Sequence, residues 1–222
     1  MIKKRLTKPL VSLSILCFMF ICIRVEGQLA TSSNGNYETI EGIKLYYEIT
    51  GKGTPLVLLH TFFGSVEQWG DYTGELSKNY KVIAIDLPGH GRSAYMDTTD
   101  VYNNKSAARY IIELLKQLKI DSAYFLGASS GGTITLEIAT MAPELVKKMV
   151  VVGAQIYYSQ QTRKWVQERG ELQPDTDEVS LHGIQKANLL EKQFYHYRNL
   201  YGELSLTPDI LNLIKAKTLI VN

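Results

Sequence analysis

Five short apolar segments, separated by stretches with helical spacing, constrain the fold of this chain more than any other feature. They are PLVLLH (55–60), KVIAIDLPG (81–89), SAYFLGA (122–128), KKMVVVGA (147–154) and KTLIVN (217–222). In the intervening segment 106–120, Ile111, Leu114, Leu115 and Leu118 recur at the intervals of a helix. Apolar strands that alternate with helices predict an α/β fold, in which a mostly parallel sheet carries helices on both faces.

Three further segments complete the predicted core. The run YETIEGIKLYYEITGKG (37–53) predicts a β-hairpin that turns at Glu41 and Gly42. VEQWGDYTGELSKNY (66–80) predicts a helix, and so does GGTITLEIATMAPELV (131–146), despite its Thr and Ile residues.

A change of pattern after the fourth apolar segment predicts a second structural unit. Residues 155–212 are helical in spacing, polar and rich in tyrosine, and they lack strand signals. We therefore expect an α/β core over 37–154, a helical cap insert over 155–212, and the start of the C-terminal part of the core over 213–222.

The first 27 residues have the three parts of a secretory signal peptide. MIKKRLTKPL is basic, residues 11–23 are apolar apart from two serines, and small residues precede a cleavage site after Gly27. The apolar run is shorter than the roughly 20 residues that a membrane span needs. We expect export to the periplasm or the extracellular space, and the alternative is a membrane anchor that stays uncleaved. Residues 28–36, QLATSSNGN, then form a polar linker.

Cleavage changes the charge and the thiol content of the chain. Residues 1–27 hold five of the 24 Lys and Arg and one of the 22 Asp and Glu, which leaves 19 basic and 21 acidic side chains, a net charge of −2. This balance indicates no nucleic-acid partner, and contact with a membrane is expected only through the signal segment. Cys17 and Cys22 both leave with the signal, so the remaining chain has no disulfide and no thiol nucleophile.

One short motif indicates catalysis. Gly127-Ala128-Ser129-Ser130-Gly131 matches G-x-S-x-G and lies between a predicted strand and a predicted helix. In that context the sharp turn raises the serine above the sheet edge, and the helix N-terminus presents N–H groups to a developing oxyanion. Ser129 is therefore the candidate nucleophile, and the alternative is a glycine-rich turn with an incidental serine. Ser130 lacks the required spacing to its flanking glycines.

Three motifs make the chain similar to the α/β-hydrolase family, of the serine esterase, haloperoxidase and C–C hydrolase type. They are LLHTFFGSVEQW (58–69), VIAIDLPGHGRS (82–93) and LGASSGG (126–132), in the order of the family. The resemblance covers roughly residues 37–222 and implies an α/β-hydrolase fold. It also implies an oxyanion hole formed by the backbone N–H groups of Phe62 and Ser130. The family usually has glycine where this chain has Thr61.

A serine in the nucleophile position indicates acyl transfer, because relatives that open epoxides or displace halide carry a carboxylate there. Attack on a carbonyl forms an acyl-enzyme, which water then hydrolyses. The expected partner is a small-molecule acyl substrate, and no metal or organic cofactor is implied. We expect His60, Asp86 and His90 to orient the backbone of the oxyanion loop and the Pro-Gly turn rather than to transfer protons.

The acid and the histidine of a serine triad are not found after Ser129, although this fold places both there. His182 and His196 lie in the predicted cap and follow no strand, and Gln155 stands where some relatives carry the acid. We expect the sequence to be a truncated piece of a longer hydrolase, with the C-terminal strand, the triad histidine and the final helix beyond Asn222. The alternative is a natural short form whose serine has no base.

Together these features predict an exported serine hydrolase that cleaves an ester or related acyl bond, present here as a fragment with little activity. The alternative, from another functional class, is a non-catalytic α/β-hydrolase homologue that binds a ligand. The cap would set specificity. Its aromatic residues either line an apolar pocket or only pack the cap: Trp165, Phe194, Tyr195 and Tyr197.

Overall fold

The computed structural model of the chain describes residues 35–95, 103–170, 172–200 and 206–222, apart from the side chains at 197, 199 and 200. The predicted signal peptide at 1–27 and most of the predicted linker lie outside the described residues. Within the described ranges, no helix is both long enough and apolar enough to cross a membrane.

Seven strands form one sheet at the centre of the fold. They are Asn36–Ile40 (β1), Ile43–Thr50 (β2), Thr54–Leu59 (β3), Tyr80–Ile85 (β4), Ala123–Ala128 (β5), Val146–Val152 (β6) and Lys217–Val221 (β7). In space they follow the order β1-β2-β4-β3-β5-β6-β7. The predicted hairpin β1–β2 and the pair β2–β4 are antiparallel, and every pair from β4 to β7 is parallel. The sheet is therefore mostly parallel, as the alternation of strands and helices predicts.

Successive side chains of the central strands enter two separate cores. In β3, Val57 and Leu59 belong to the larger apolar cluster, whereas Leu56 and Leu58 belong to the smaller one. Leu58 and Leu59 are both fully buried. Because such strands bury both faces, the sheet needs a cover on each side.

Helices provide this cover, and those within residues 155–212 are called the cap helices below. The helices are Gly70–Ser77 (α1), Asn104–Gln117 (α2), Ser130–Met141 (α3), Gln160–Arg169 (α4), Thr176–His182 (α5), Ile184–Leu200 (α6) and Pro208–Leu211 (α7). The buried apolar side chains of α2 and α3 belong to the larger cluster, while Leu76 of α1 packs against the smaller one. The expected arrangement of helices on both faces is confirmed.

Two helices differ from the sequence prediction. The segment 66–80 forms a 3₁₀ turn, Val66–Trp69, before α1, and its last residue already belongs to β4. The helix predicted over 131–146 ends at Met141, since Pro143 disfavours helical backbone in the residue before it. Val146 then begins β6.

The described part of 155–212 contains α4, α5, α6 and α7, and no strand of the sheet. Phe194 of α6 packs on Phe62, which follows β3, with the ring centres 5.0 Å apart. This contact places α6 over the carboxyl ends of the parallel strands, where ligands bind in open α/β sheets.

Candidate active site

Ser129 lies in the turn between β5 and α3. Its φ of 50° and ψ of −116° are a sparsely populated conformation for a residue with a side chain, at a cost on the order of 1–3 kcal/mol. The surrounding structure holds it: the Ser129 N–H donates to the Val152 carbonyl at 2.7 Å, and its carbonyl accepts from the Thr133 N–H at 3.0 Å. The residue is exposed. A strained, accessible serine at a strand-to-helix turn has the geometry of a nucleophile elbow.

Two neighbours of Ser129 must be glycine because other backbone atoms approach them closely. A Cβ atom on Gly127 would lie 2.3 Å from the Gly131 carbonyl oxygen, and one on Gly131 would lie 2.1 Å from the Leu59 carbonyl oxygen. These glycines allow β5, α3 and the end of β3 to meet without a clash. This close packing places Ser129 beside the loop that follows β3.

Ser129 lines a cavity of about 100 Å³. The lining comes from the loop after β3, from α2 and α3, and from the cap: Phe62, Phe63, Asn104, Ser129, Ser130, Thr133, Gln155, Tyr158, Phe194 and Arg198. The three site residues expected from the sequence, Ser129, Phe62 and Ser130, therefore share one cavity, and their catalytic roles stay predictions. The Ser130 hydroxyl donates to Asn104 Oδ1 at 3.0 Å.

His60 fixes the start of the loop after β3 from a fully buried position. The Leu87 N–H donates to Nε2 of His60 at 2.9 Å, so the proton resides on Nδ1, which donates to the Thr61 carbonyl at 2.7 Å. Burial lowers the pKa of His60 to about 4, and the ring is neutral at pH 7. His60 thus orients backbone, as expected from the sequence.

Gln68 holds Thr61, the residue that stands where glycine is usual. Its Oε1 accepts hydrogen bonds from the Thr61 N–H and from the Thr61 hydroxyl, each at 2.9 Å. Thr61 is not among the described residues that line the cavity of Ser129. The threonine therefore links the loop to the 3₁₀ turn, and its side chain does not narrow the cavity of Ser129.

Asp86 ties the same region to the turn after β4. Its carboxylate is buried and accepts from the Val66 N–H and the Arg92 N–H, both at 2.7 Å. Burial raises the pKa of Asp86 to about 6, against the opposing effect of these two bonds. His90 in that turn is also buried, and burial holds its pKa well below the ordinary value. Neither Asp86 nor His90 is in the described lining of the cavity.

Among its described residues, the lining of the cavity contains no histidine, aspartate or glutamate. His182 bonds to the backbone of Phe63 and Gly91 instead, and His196 is an exposed residue of α6. The described residues thus place no triad acid or base in this lining. Across the described ranges, no three His, Cys, Asp or Glu side chains are grouped so that they could hold a metal ion.

The cap aromatics fall into different surroundings. Phe194 lines the cavity of Ser129, and Tyr158, which no sequence pattern singles out, joins it there. Trp165 is 51% exposed and stacks with Arg169. Tyr195 lies with Trp165 beside a smaller cavity, and the side chain of residue 197 lies outside the described part of the structure.

A family model described as the alpha/beta hydrolase fold matches residues 54–186. The match spans more than half of the chain and includes the elbow, the oxyanion loop and the turn after β4. The chain belongs to the α/β-hydrolase fold family. The family and the fold expected from the three sequence motifs are confirmed.

Two curated proteins illustrate the similarity of this α/β-hydrolase family member to known relatives. It is 32% identical over 126 residues to (E)-2-((N-methylformamido)methylene)succinate hydrolase of Acinetobacter baylyi, across 57% of this chain and 47% of the relative. It is 36% identical over 110 residues to the dihydrolipoyllysine-residue acetyltransferase component of the acetoin cleaving system of Pseudomonas putida, across 49% of this chain and 29% of the relative. The chain spans about half, or less, of the length of the curated relatives it matches.

The solved structures show the same architecture. A bacterial membrane phospholipase A, described as a virulence factor, superposes with a TM-score of 0.73 at 20% sequence identity. The match covers 85% of this chain and 69% of that one. At this identity the likeness concerns the fold.

Three side chains near the site are missed by reasoning from the sequence: Gln68, His182 and Arg198. His182 acts through backbone groups that are distant along the chain, whereas Gln68 accepts from Thr61, seven positions earlier, and no local pattern indicates either contact. Arg198 follows Phe194 by four residues, and this spacing places both on one face of a helix. For Arg198, this helical spacing is therefore the sequence signal that could have indicated its position beside Phe194.

Proposed function

We propose that this α/β-hydrolase hydrolyses an ester or related acyl bond through an acyl-enzyme on Ser129. The observation that carries the proposal is the strained and accessible backbone of Ser129, at the edge of a cavity that Phe62 also lines. The name of the A. baylyi relative, a hydrolase, supports hydrolysis as the reaction class.

In the proposed reaction, Ser129 Oγ attacks the acyl carbon while a general base takes the hydroxyl proton. The backbone N–H groups of Phe62 and Ser130 stabilise the oxyanion that forms. The bond to the leaving group then breaks, and the leaving group departs with that proton. Water attacks the acyl-enzyme in the second half of the reaction, which releases the acid and restores the serine.

The general base is, in this proposal, not among the described residues, since none in the cavity lining can accept the proton. A serine hydroxyl is a weak nucleophile at neutral pH without such a base. The 222-residue chain alone should therefore turn over acyl esters slowly or not at all.

The test is covalent labelling of the chain by 4-nitrophenyl acetate, with imidazole added as an external base, followed by peptide mass spectrometry. We expect an acetyl group on Ser129 and none in Ser129→Ala. Ser130→Ala is the matched control, because its hydroxyl donates to Asn104, and this variant should still be labelled at Ser129. Labelling at Ser130 in the unmodified chain, or no labelling of either serine, would refute the proposal.

A second candidate function is ligand binding without catalysis. It is favoured by one observation, the absence of histidine and carboxylate side chains among the described residues lining the cavity. This candidate predicts saturable binding of a small ester with no acyl-enzyme at any imidazole concentration. The labelling experiment therefore separates the two functions.

We also propose that the protein is exported and that residues 1–27 are removed. The basic start, the short apolar run and the small residues before position 28 support this. N-terminal sequencing of the exported protein should begin at Gln28. A protein that begins at Met1 and remains with the membrane fraction would instead indicate an uncleaved anchor.

A further inference from the structure

Arg198 is the one charged side chain in the described lining of the cavity of Ser129. Its guanidinium carbon lies 3.7 Å from the centre of the Phe194 ring and 5.8 Å from the centre of the Tyr158 ring. Both aromatic residues line the same cavity. Aromatic faces attract a guanidinium, so the two rings hold the positive charge at the cavity.

The protein satisfies this guanidinium only in part, through a hydrogen bond with the side chain of Tyr158. Its Nε atom is buried, and no described residue accepts a hydrogen bond from it. Arg198 also takes part in none of the ion pairs between described residues. A buried polar N–H without an acceptor is unfavourable and uncommon in folded proteins. The guanidinium is therefore held at the cavity with part of its hydrogen-bonding capacity unused.

The acidic residue of the same helix forms no ion pair with Arg198. Glu191 precedes Arg198 by two helical turns, is 8% exposed and lies with it beside the smaller cavity of Trp165 and Tyr195. It is not among the ion pairs that the described residues form. Among the described residues, therefore, no carboxylate is paired with the charge of Arg198.

We propose that Arg198 binds a carboxylate of the substrate, so that the substrate is a small ester or amide carrying a second, ionised carboxyl group. The inference rests on the proposed role of Ser129, which would attack the acyl group while Arg198 holds the carboxylate. A guanidinium matches a planar carboxylate with two parallel hydrogen bonds. The volume of about 100 Å³ favours a short spacer between the two groups, because pockets for drug-sized ligands run to roughly 300–1,000 Å³.

The test compares two esters of similar size, monomethyl succinate, which is anionic, and methyl butanoate, which is neutral. Binding to the 222-residue chain is measured by calorimetric or NMR titration in a Ser129→Ala background, which prevents turnover. We expect the anionic ester to bind at least roughly tenfold more tightly, the range of a charge-assisted hydrogen bond. Arg198→Gln should abolish this preference and leave the affinity for methyl butanoate unchanged.

Two further variants keep the test decisive. Arg198→Lys preserves the positive charge without the planar guanidinium and should retain part of the preference for the anionic ester. This variant also keeps the proposal testable if Arg198→Gln folds poorly. Arg169→Gln is the matched control, since Arg169 is a cap arginine that stacks on Trp165 and does not line the cavity of Ser129. It should keep the full preference.

Equal binding of the two esters by the Ser129→Ala chain would overturn the proposal. So would an Arg198→Gln variant that keeps the preference, or one that weakens both esters equally because Arg198 only packs the cap. Failure of the proposed catalytic function is recognised separately. In that case the preference for the anionic ester persists, but no acyl group is found on Ser129.

Discussion

His182 of α5 joins that helix to the loop after β3, since its Nε2 donates a hydrogen bond to the Phe63 carbonyl at 2.8 Å. The Gly91 N–H donates to Nδ1 of the same ring at 3.1 Å, which fixes the proton on Nε2. Lys186 adds bonds from Nζ to the carbonyls of Gly91 and Ser93, at 2.8 and 2.9 Å. Two neighbouring cap helices thus hold both loops that follow β3 and β4.

Acid should break the hydrogen bond between Gly91 and His182 and leave the bond to Phe63 in place. Burial lowers the pKa of His182, and Lys186 acts in the same direction, while the bond to Phe63 and the charge of Glu67 oppose it. A second proton, on Nδ1, would face the Gly91 N–H and remove that hydrogen bond. We expect the protection of the Gly91 amide against hydrogen exchange to fall roughly five- to tenfold between pH 7 and pH 4, with the loss below the ordinary histidine pKa of about 6.5 because the pKa of His182 is lowered.

The His182→Ala variant supplies the control for this prediction. Its Gly91 amide should be weakly protected at both pH values. The Ser129 amide, which donates to the Val152 carbonyl, should stay protected in both proteins. If the protection of Gly91 falls equally with and without His182, the ring does not respond to acid in this way.

The elbow should not tolerate a side chain at Gly131. An alanine there places Cβ 2.1 Å from the Leu59 carbonyl oxygen, and the backbone must shift, at a cost of about 3 kcal/mol. Gly74→Ala in α1 is the matched control, because nothing lies within 4 Å of its Cβ position, and it should stabilise the chain by roughly 0.5–1 kcal/mol. Urea unfolding measures both, and equal effects of the two alanines would contradict the account of the elbow.

The stability of the fold should fall on mild acidification because of two buried histidines. Burial lowers the pKa of His60 to about 4 and that of His90 in the same direction, whereas an unfolded histidine titrates near pH 6.5. Their contribution is therefore present above pH 6.5 and is lost as the pH falls toward 4.

Asp86 changes the free energy of unfolding in the opposite direction on acidification. Its folded pKa is raised to about 6, so its contribution is present below the unfolded value of roughly 3.9 and is lost as the pH rises through 6. Between pH 7 and pH 5 it offsets part of the loss from the two histidines. We expect a net decrease in the free energy of unfolding, because two histidines oppose one aspartate.

His60→Gln separates these contributions, because an amide also donates and accepts without titrating. The variant should be less stable at pH 7, yet its free energy of unfolding should fall less between pH 7 and pH 5. Urea unfolding at both pH values measures this. Parallel pH profiles for the variant and the unmodified chain would show that His60 does not cause the decrease.

The edge strand β7 should make the 222-residue chain self-associate. Leu219 and Ile220 are 58% and 63% exposed, on the last strand of the sheet order. Exposed apolar edges pair with other chains, and a lysine on such an edge opposes pairing. Ile220→Lys should therefore shift the chain toward the monomer in analytical ultracentrifugation. Tyr72→Lys, at a residue of α1 that is 71% exposed, should not, and an equal shift in both variants would indicate a general effect of charge.

Much of the fold could be predicted because its signals are local. The two-residue turn at Glu41 and Gly42 has positive φ at both residues, 49° and 85°, the backbone that a tight hairpin turn requires. The sequence signal of the elbow is equally local, since Gly127 and Gly131 lie two residues on either side of Ser129, although the atom that Gly131 must avoid belongs to Leu59, in a distant segment. The helix after Ser129 was predicted correctly in type but not in its end, where Pro143 outweighed the apolar pattern.

The missed parts of the site depend on contacts between distant segments. His182 and Phe63 are separated by 119 positions, and the rotation of α5 that brings them together is set by packing. The same holds for Arg198, whose spacing from Phe194 places both residues on one face of α6 but does not say what that face meets. Sequence patterns indicate which residues share one face of a helix, but only the packed structure shows which residues that face contacts.

The central claim is that Ser129 is the nucleophile and that the described residues give it no base. The most direct measurement is the rate of 4-nitrophenyl acetate hydrolysis by the 222-residue chain and by Ser129→Ala as imidazole is added. We predict equal rates without imidazole, and a rate that depends on Ser129 and rises with imidazole. Fast turnover without imidazole that Ser129→Ala abolishes would mean that a residue such as His182 or His196 supplies the base. Equal rates of the two proteins at every imidazole concentration would mean that Ser129 is not the nucleophile.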